Sequence, residues 1–137
     1  MWTWLKWLFG KTTPADYELP SPKPRFTQAQ ADEVVRLLIP AGLLKEGSQA
    51  ATVEDTGSED PLIDKGNFVL LEPVTAGDLI VGDLATYWKD FNTVVLHRIT
   101  GISGEWFTFR GDNPKIYAND PPIHKSQLKE VVRGVLY

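Results

Sequence analysis

The chain has no cysteine among its 137 residues. That absence excludes disulfide bonds, thiol catalysis and cysteine-ligated zinc. Histidine is also scarce, because only His97 and His124 occur, so a histidine-rich metal site is not expected. We therefore predict neither a metal nor another cofactor. The formal net charge of −4 argues against nucleic acid as the main partner.

Long apolar runs are missing as well. The first eleven residues contain an apolar run of about nine, whereas a membrane-spanning helix needs about 20. The run lacks a preceding basic region and a small-residue cleavage site, so no signal peptide is predicted, and we expect a protein that is cytoplasmic or peripheral to a membrane. Trp2, Trp4 and Trp7 beside Lys6 and Lys11 suit a membrane interface or a docking partner. The alternative is that these tryptophans pack on the protein's own core or on a second copy of it.

Beyond this tryptophan-rich segment, residues 1–11, the chain changes character twice. Residues 12–25 are rich in proline and predict an extended linker. In residues 26–47, Thr27 and Gln30 form the capping-box pattern of a helix start. Apolar residues then recur on one helical face, and Pro40 ends the pattern. We predict a short amphipathic helix that packs on the following domain or on a partner.

Residues 48–137 have the texture of a β domain, in which short apolar runs alternate with turns. The chain length suits a single domain. The predicted fold class is mainly β, either a barrel or a two-sheet fold, with one N-terminal helix. The predicted strands are Phe68–Leu71, Ala85–Trp88, Thr93–Thr100, Trp106–Phe109 and Val131–Tyr137.

A serine in a turn is the candidate nucleophile. Ser58 follows Gly57, which permits unusual backbone angles, and Pro61 stiffens the chain after it. A serine hydroxyl becomes an effective nucleophile when a neighbouring base takes its proton and backbone N–H groups face the developing oxyanion. Taken alone, a serine in such a loop is more often a solvent-exposed turn residue.

His97 is the candidate base. It follows an apolar strand-like run, and its imidazole can accept a proton near neutral pH if Ser58 lies within reach. Taken alone, it is more often a strand histidine with satisfied hydrogen bonds. Asp112 and Asp120 are the acids that could orient it. Both also stand in turn-forming sequences, and both remain candidates on the residues alone.

Six short segments follow one another from about Val53 to Tyr137 in an order that resembles the signal-peptidase and repressor-peptidase superfamily of serine peptidases. A histidine rather than a lysine at the base position makes the chain similar to the branch found in the endoplasmic reticulum and in archaea. The matching segments are Ser58–Pro61, Gly66–Val69, Val81–Asp83, Val95–Arg98, Gly111–Asn113 and Gly134–Tyr137.

The resemblance implies a role for each candidate residue. Ser58 would be the nucleophile and His97 the general base. Asp120 would be the orienting acid, with Asp112 nearby. The residues expected to contact a substrate are Gly57, Glu59 and Pro61.

Two departures from the family pattern leave a second interpretation open. Glu59 stands where the family has a methionine, and a carboxylate beside the nucleophile disfavours an oxyanion. The family's membrane anchor is replaced by the tryptophan-rich segment. The predicted function is a serine endopeptidase that cleaves an extended peptide. The alternative is a catalytically impaired module on the same fold that binds peptides or forms homo-oligomers. Self-cleavage at Ala41–Gly42 is a weaker alternative, because a helix stop explains that dipeptide.

Overall fold

The computed structural model describes residues 23–53, 59, 62–115 and 118–137. Eight residues named above lie outside these ranges: Trp2, Trp4, Lys6, Trp7, Lys11, Gly57, Ser58 and Pro61. The helix and strands, in chain order, are α1 (Gln28–Leu38), β1 (Gln49–Thr52), β2 (Phe68–Pro73), β3 (Leu84–Asp90), β4 (Thr93–Ser103), β5 (Trp106–Arg110), β6 (Ile123–His124) and β7 (Leu128–Leu136).

All seven of these strands join one sheet in the order β1-β2-β7-β3-β4-β5-β6. Every neighbouring pair is antiparallel. The prediction of a mainly β fold with one N-terminal helix is confirmed. The closing strand β7 lies between β2 and β3, so the end of the chain forms the middle of the sheet.

The helix α1 begins with the predicted capping box. The backbone N–H of Gln30 donates to Thr27 Oγ1 at 3.2 Å, and that of Thr27 donates to Gln30 Oε1 at 2.9 Å. Val35 is buried against Leu70 of β2, so the helix packs on the β domain. Its C-terminal turn contains Gly42 at φ +76°, a conformation that favours glycine. In the described ranges, no helix combines the length and apolar content that crossing a bilayer requires.

Alternation along β4 decides which side chains enter the core. Val95, His97 and Ile99 are buried on one face of the sheet, since side chains of a strand point alternately to opposite faces. Val95 and Ile99 belong to the largest apolar cluster, together with Phe109. Leu96 points to the other face and packs on a smaller cluster. His97 therefore enters a largely apolar environment.

The larger cluster supplies much of the stability of the sheet. Ile99 is 1% exposed within it, whereas Ile80 is 67% exposed in a turn. We expect Ile99→Ala to lower the free energy of unfolding by about 3 kcal/mol, because it leaves a cavity in a packed core. Ile80→Ala is the matched control and should change that free energy by less than about 0.5 kcal/mol. Urea denaturation measures both, and similar losses for the two variants would contradict this assignment of the core.

Candidate active site

His97 is held in place by the central strands. It lies opposite Ala85 of β3 in the antiparallel register and is 5% exposed. A small neighbour such as Ala85, which is fully buried, leaves room for the imidazole above the strand. The position of the ring is thus fixed by the β3–β4 pairing.

A buried carboxylate orients the imidazole. His97 Nδ1 lies 2.6 Å from Asp120 Oδ2, and a carboxylate can only accept, so Nδ1 carries the proton. The backbone N–H of Asp120 donates to the Phe109 carbonyl at 2.8 Å, which ties this acid to β5. Of the two acids that the sequence left open, Asp120 is the one in contact with the ring.

Tyr87 also binds the carboxylate of Asp120. Its hydroxyl donates to Asp120 Oδ2 at 2.8 Å, and its ring packs on Phe109 with centroids 4.8 Å apart. Burial, together with the adjacent carboxylate of Asp120, raises the pKa of Tyr87, so the hydroxyl remains a donor. Asp120 therefore accepts two hydrogen bonds on one oxygen and has little freedom to turn away from His97.

Asp112 has a different contact. Both of its carboxylate oxygens accept from Arg98 Nε, at 2.7 and 3.0 Å, and Arg98 Nη2 adds a third hydrogen bond. Arg98 Nη1 also donates to the Gly82 carbonyl. This bidentate pair joins the turn before β3 to the segment after β5. The structure thus places Asp112 on Arg98 and not on the imidazole.

Glu59 lies on the opposite side of the imidazole from Asp120. Its Oε1 is 4.0 Å from His97 Nε2, and the residue is 5% exposed. Within the described ranges, neither carboxylate oxygen of Glu59 has a hydrogen-bond partner of normal geometry, and neither does Nε2. Burial, and next the nearby Asp112 carboxylate, raise the pKa of Glu59 well above its usual value. A charged form of this group is therefore disfavoured.

The loop after Glu59 is held by a network of hydrogen bonds. The Glu59 carbonyl accepts from the N–H groups of Leu62 and Ile63 at 2.9 and 3.1 Å. Asn67 Oδ1 accepts from the Asp64 N–H at 2.9 Å, and the Leu62 carbonyl accepts from the Tyr137 hydroxyl at 3.0 Å. These contacts fix the backbone of Glu59 relative to β2 and β7.

A groove of about 390 Å³ on the sheet face opposite α1 is lined in part by Glu59 and Glu130. Glu130 accepts hydrogen bonds from Gln49 Nε2 at 2.7 Å and from Lys129 Nζ at 3.0 Å. The groove therefore combines polar and apolar lining. Its apolar lining includes Ala51, Val69, Leu71, Trp88, Val94 and Leu96.

Two residues of this arrangement were not recognised as functional in the sequence. Tyr87 lies two positions after Ala85, so strand alternation puts the two side chains on one face. That this face is also the His97 face follows only from the β3–β4 register, which the sequence does not show. Arg98 directly follows His97, but nothing in the sequence predicts its bond to Asp112. Across the described ranges, no group of three or more acidic, histidine or cysteine side chains could hold a metal ion.

Comparison with known proteins gives one distant relative. The chain is 30% identical over 84 residues to signal peptidase I W of Bacillus subtilis strain 168. The match covers 58% of this chain and 44% of that protein, so the chain spans less than half the length of its relative. The relationship is distant and signal-peptidase-like, and it suggests a peptidase-like function. No family model matches the chain, and no solved structure matches it.

The Tyr87–Asp120 hydrogen bond gives a prediction about stability. Tyr87→Phe removes the donor hydroxyl and keeps the ring packing, so we expect the free energy of unfolding to fall by about 1 kcal/mol. Tyr137→Phe removes a hydroxyl whose bond to Leu62 is exposed and should cost less than about 0.5 kcal/mol. Urea titration of both variants measures the difference. Equal losses of stability in the two variants would show that the buried Tyr87–Asp120 hydrogen bond contributes no more than the exposed Tyr137–Leu62 hydrogen bond.

Burial of Glu59 gives a prediction about pH. Its pKa is raised in the folded protein, so the folded state retains a proton that the unfolded chain releases above about pH 4.5. As pH rises above about 4.5, the free energy of unfolding of the wild type should therefore fall relative to that of Glu59→Gln. Below about pH 4.5 the difference between the two should become constant.

Urea titrations from pH 4 to pH 9 measure this trend. Glu46→Gln is the control, because Glu46 is exposed and its replacement should leave the pH dependence of the wild type unchanged. A constant difference between the wild type and Glu59→Gln across the whole range would contradict the burial argument.

Proposed function

We propose that the protein is a serine endopeptidase in which Ser58 is the nucleophile, His97 the general base and Asp120 the acid that orients the base. The observation that carries this proposal is the buried His97–Asp120 hydrogen bond at 2.6 Å. It leaves Nε2 facing the loop that contains Glu59, the residue after Ser58.

Covalent geometry supports Ser58 as the group that Nε2 would serve. Consecutive Cα atoms across a trans peptide are about 3.8 Å apart, and the Glu59 carboxylate is already 4.0 Å from Nε2. Because Ser58 directly precedes Glu59 in the sequence, the approach of Glu59 to Nε2 supports Ser58 as the proposed nucleophile.

The proposed reaction has two proton-transfer cycles. Nε2 takes the hydroxyl proton of Ser58 as Oγ attacks the peptide carbonyl carbon, and Asp120 stabilises the resulting imidazolium. The C–N bond then breaks, and Nε2 returns the proton to the leaving amine. Water repeats the cycle: Nε2 takes a proton from it, the hydroxide adds to the acyl carbon, and the proton returns to Oγ as the acid product leaves.

The groove offers a place for an extended peptide. Among the described strands, none pairs with the outer side of β1, which forms an edge of the sheet. The backbone polar groups of an edge strand can pair with a further strand. A substrate strand could add here, with side chains in the apolar groove that leads to Glu59. The distant signal-peptidase relative supports a peptide substrate.

One observation favours a second candidate function. The buried carboxyl of Glu59 lies beside Nε2, where a negative charge would oppose an oxyanion and a protonated carboxyl would occupy Nε2. A protein of this kind could retain the peptide groove and lack turnover. The second candidate is therefore a peptide-binding module on the same scaffold.

Acylation by a fluorescent β-lactone probe tests the proposal, because such a probe forms a stable ester with an activated serine. We expect the wild type to be labelled and Ser58→Ala to be unlabelled. His97→Gln should label at least about 100-fold more slowly, since it removes the general base. Ser103→Ala is the matched control at an exposed serine and should label like the wild type.

In-gel fluorescence and intact-protein mass give the rates and the number of acyl groups. Labelling that persists in Ser58→Ala would sink the serine mechanism. No labelling of the wild type at any pH would instead favour the peptide-binding module.

A further inference from the structure

Two buried polar atoms face each other in the candidate site without a hydrogen bond. Glu59 Oε1 and His97 Nε2 are 4.0 Å apart, and their side chains are 5% and 6% exposed. Each lacks a hydrogen-bond partner of normal geometry in the part of the chain that the structure describes. Burial of unpaired polar atoms costs free energy. A movement of about 1 Å would bring the two atoms within hydrogen-bond distance, so each can satisfy the other.

The tautomer of His97 determines what this pair can hold. Nδ1 donates its proton to Asp120, so Nε2 of the neutral ring is a bare acceptor. Glu59 can donate a carboxyl proton to it, or can face a protonated Nε2 as a carboxylate. Both arrangements contain one proton between the two side chains. When that proton leaves, Nε2 is unprotonated and the Glu59 carboxylate is charged.

The surrounding charges favour retention of the shared proton. Two groups favour a charged Glu59: the backbone N–H of Asp112, and Arg98 from β4, whose guanidinium is bound to the Asp112 carboxylate. Asp112, after β5, and Asp120, before β6, both disfavour a second negative charge nearby. Burial acts in the same direction and is the largest influence, so the pKa of Glu59 is raised.

We infer that Glu59 is a positioning residue that acts through His97. It shares one proton with His97 Nε2, so this base cannot accept the Ser58 proton until the shared proton is released. This inference rests on the proposed function, in which Nε2 must accept the Ser58 proton. Its consequence is that the pair, rather than His97 alone, sets the pH at which the enzyme becomes active. Activity would rise toward alkaline pH.

The first test compares pH profiles of β-lactone acylation for the full chain and three variants. Glu59→Met removes the carboxyl with an unbranched apolar side chain, and Glu59→Gln keeps the shape without an ionisable proton. We expect Glu59→Met to label at least about tenfold faster than the wild type at pH 6 to 7, with the difference in labelling rate narrowing as pH rises. Glu59→Gln, whose amide N–H can still donate to Nε2, should label at a rate between the two.

Glu105→Gln is the matched control. Glu105 also faces a histidine, with its Oε2 3.3 Å from His124 Nε2, but this pair is at the surface. Its replacement should leave the labelling profile of the wild type unchanged. Superimposed profiles for the wild type and Glu59→Met would overturn the inference.

The second test does not need catalysis. The chain has two histidines, so 15N spectra of the full-length protein resolve both rings, and His124→Gln assigns them. At pH 7 we expect the His97 Nε2 signal to move toward the frequency of a bare nitrogen in Glu59→Met, and the His124 signal to stay. An unchanged Nε2 frequency would overturn the shared proton. If no variant labels at any pH, the proposed function fails, and the 15N comparison still decides this inference.

Discussion

The hydrogen bond from His97 Nδ1 to Asp120 is the interaction on which the rest of the site depends. A histidine and a carboxylate cannot both be buried unless each satisfies the other, and at 2.6 Å they do so. The bond fixes the tautomer, and the fixed tautomer leaves Nε2 without a proton of its own. Tyr87 and the backbone of Phe109 hold the acid, so the orientation of the base is set by the core and not by the surface loops.

The two acids that the sequence offered have separate tasks for a geometrical reason. Arg98 is adjacent to His97 on β4, so its side chain leaves the strand on the opposite face. Asp112 follows β5 and meets Arg98 on that face, whereas Asp120 precedes β6 and enters the core beside His97. The ion pair ties Asp112, just after β5, to β4.

Local patterns predicted the parts of the fold that local physics decides. The capping box at Thr27 and the long apolar strands are examples, since their determinants lie within a few residues. The strands β1 and β6 were missed because Gln49–Thr52 has little β propensity and Ile123–His124 is two residues long. The choice between the two acids, and the approach of Glu59 to Nε2, depend on strand register and on loops that meet from distant parts of the chain. No window of sequence contains that information.

The chain order explains why the site depends on its last strand. β7 pairs with both β2 and β3, so it joins the strand that follows Glu59 to the strand that carries Tyr87. The Tyr137 hydroxyl, just beyond β7, also binds the Leu62 carbonyl and so holds the turn after Glu59. The Glu59–His97 separation is thus set across β7 and not within one loop. Since rigid strands fix positions more closely than loops do, a carboxyl held this way faces Nε2 as a property of the whole sheet. This is the condition under which one shared proton can control a base.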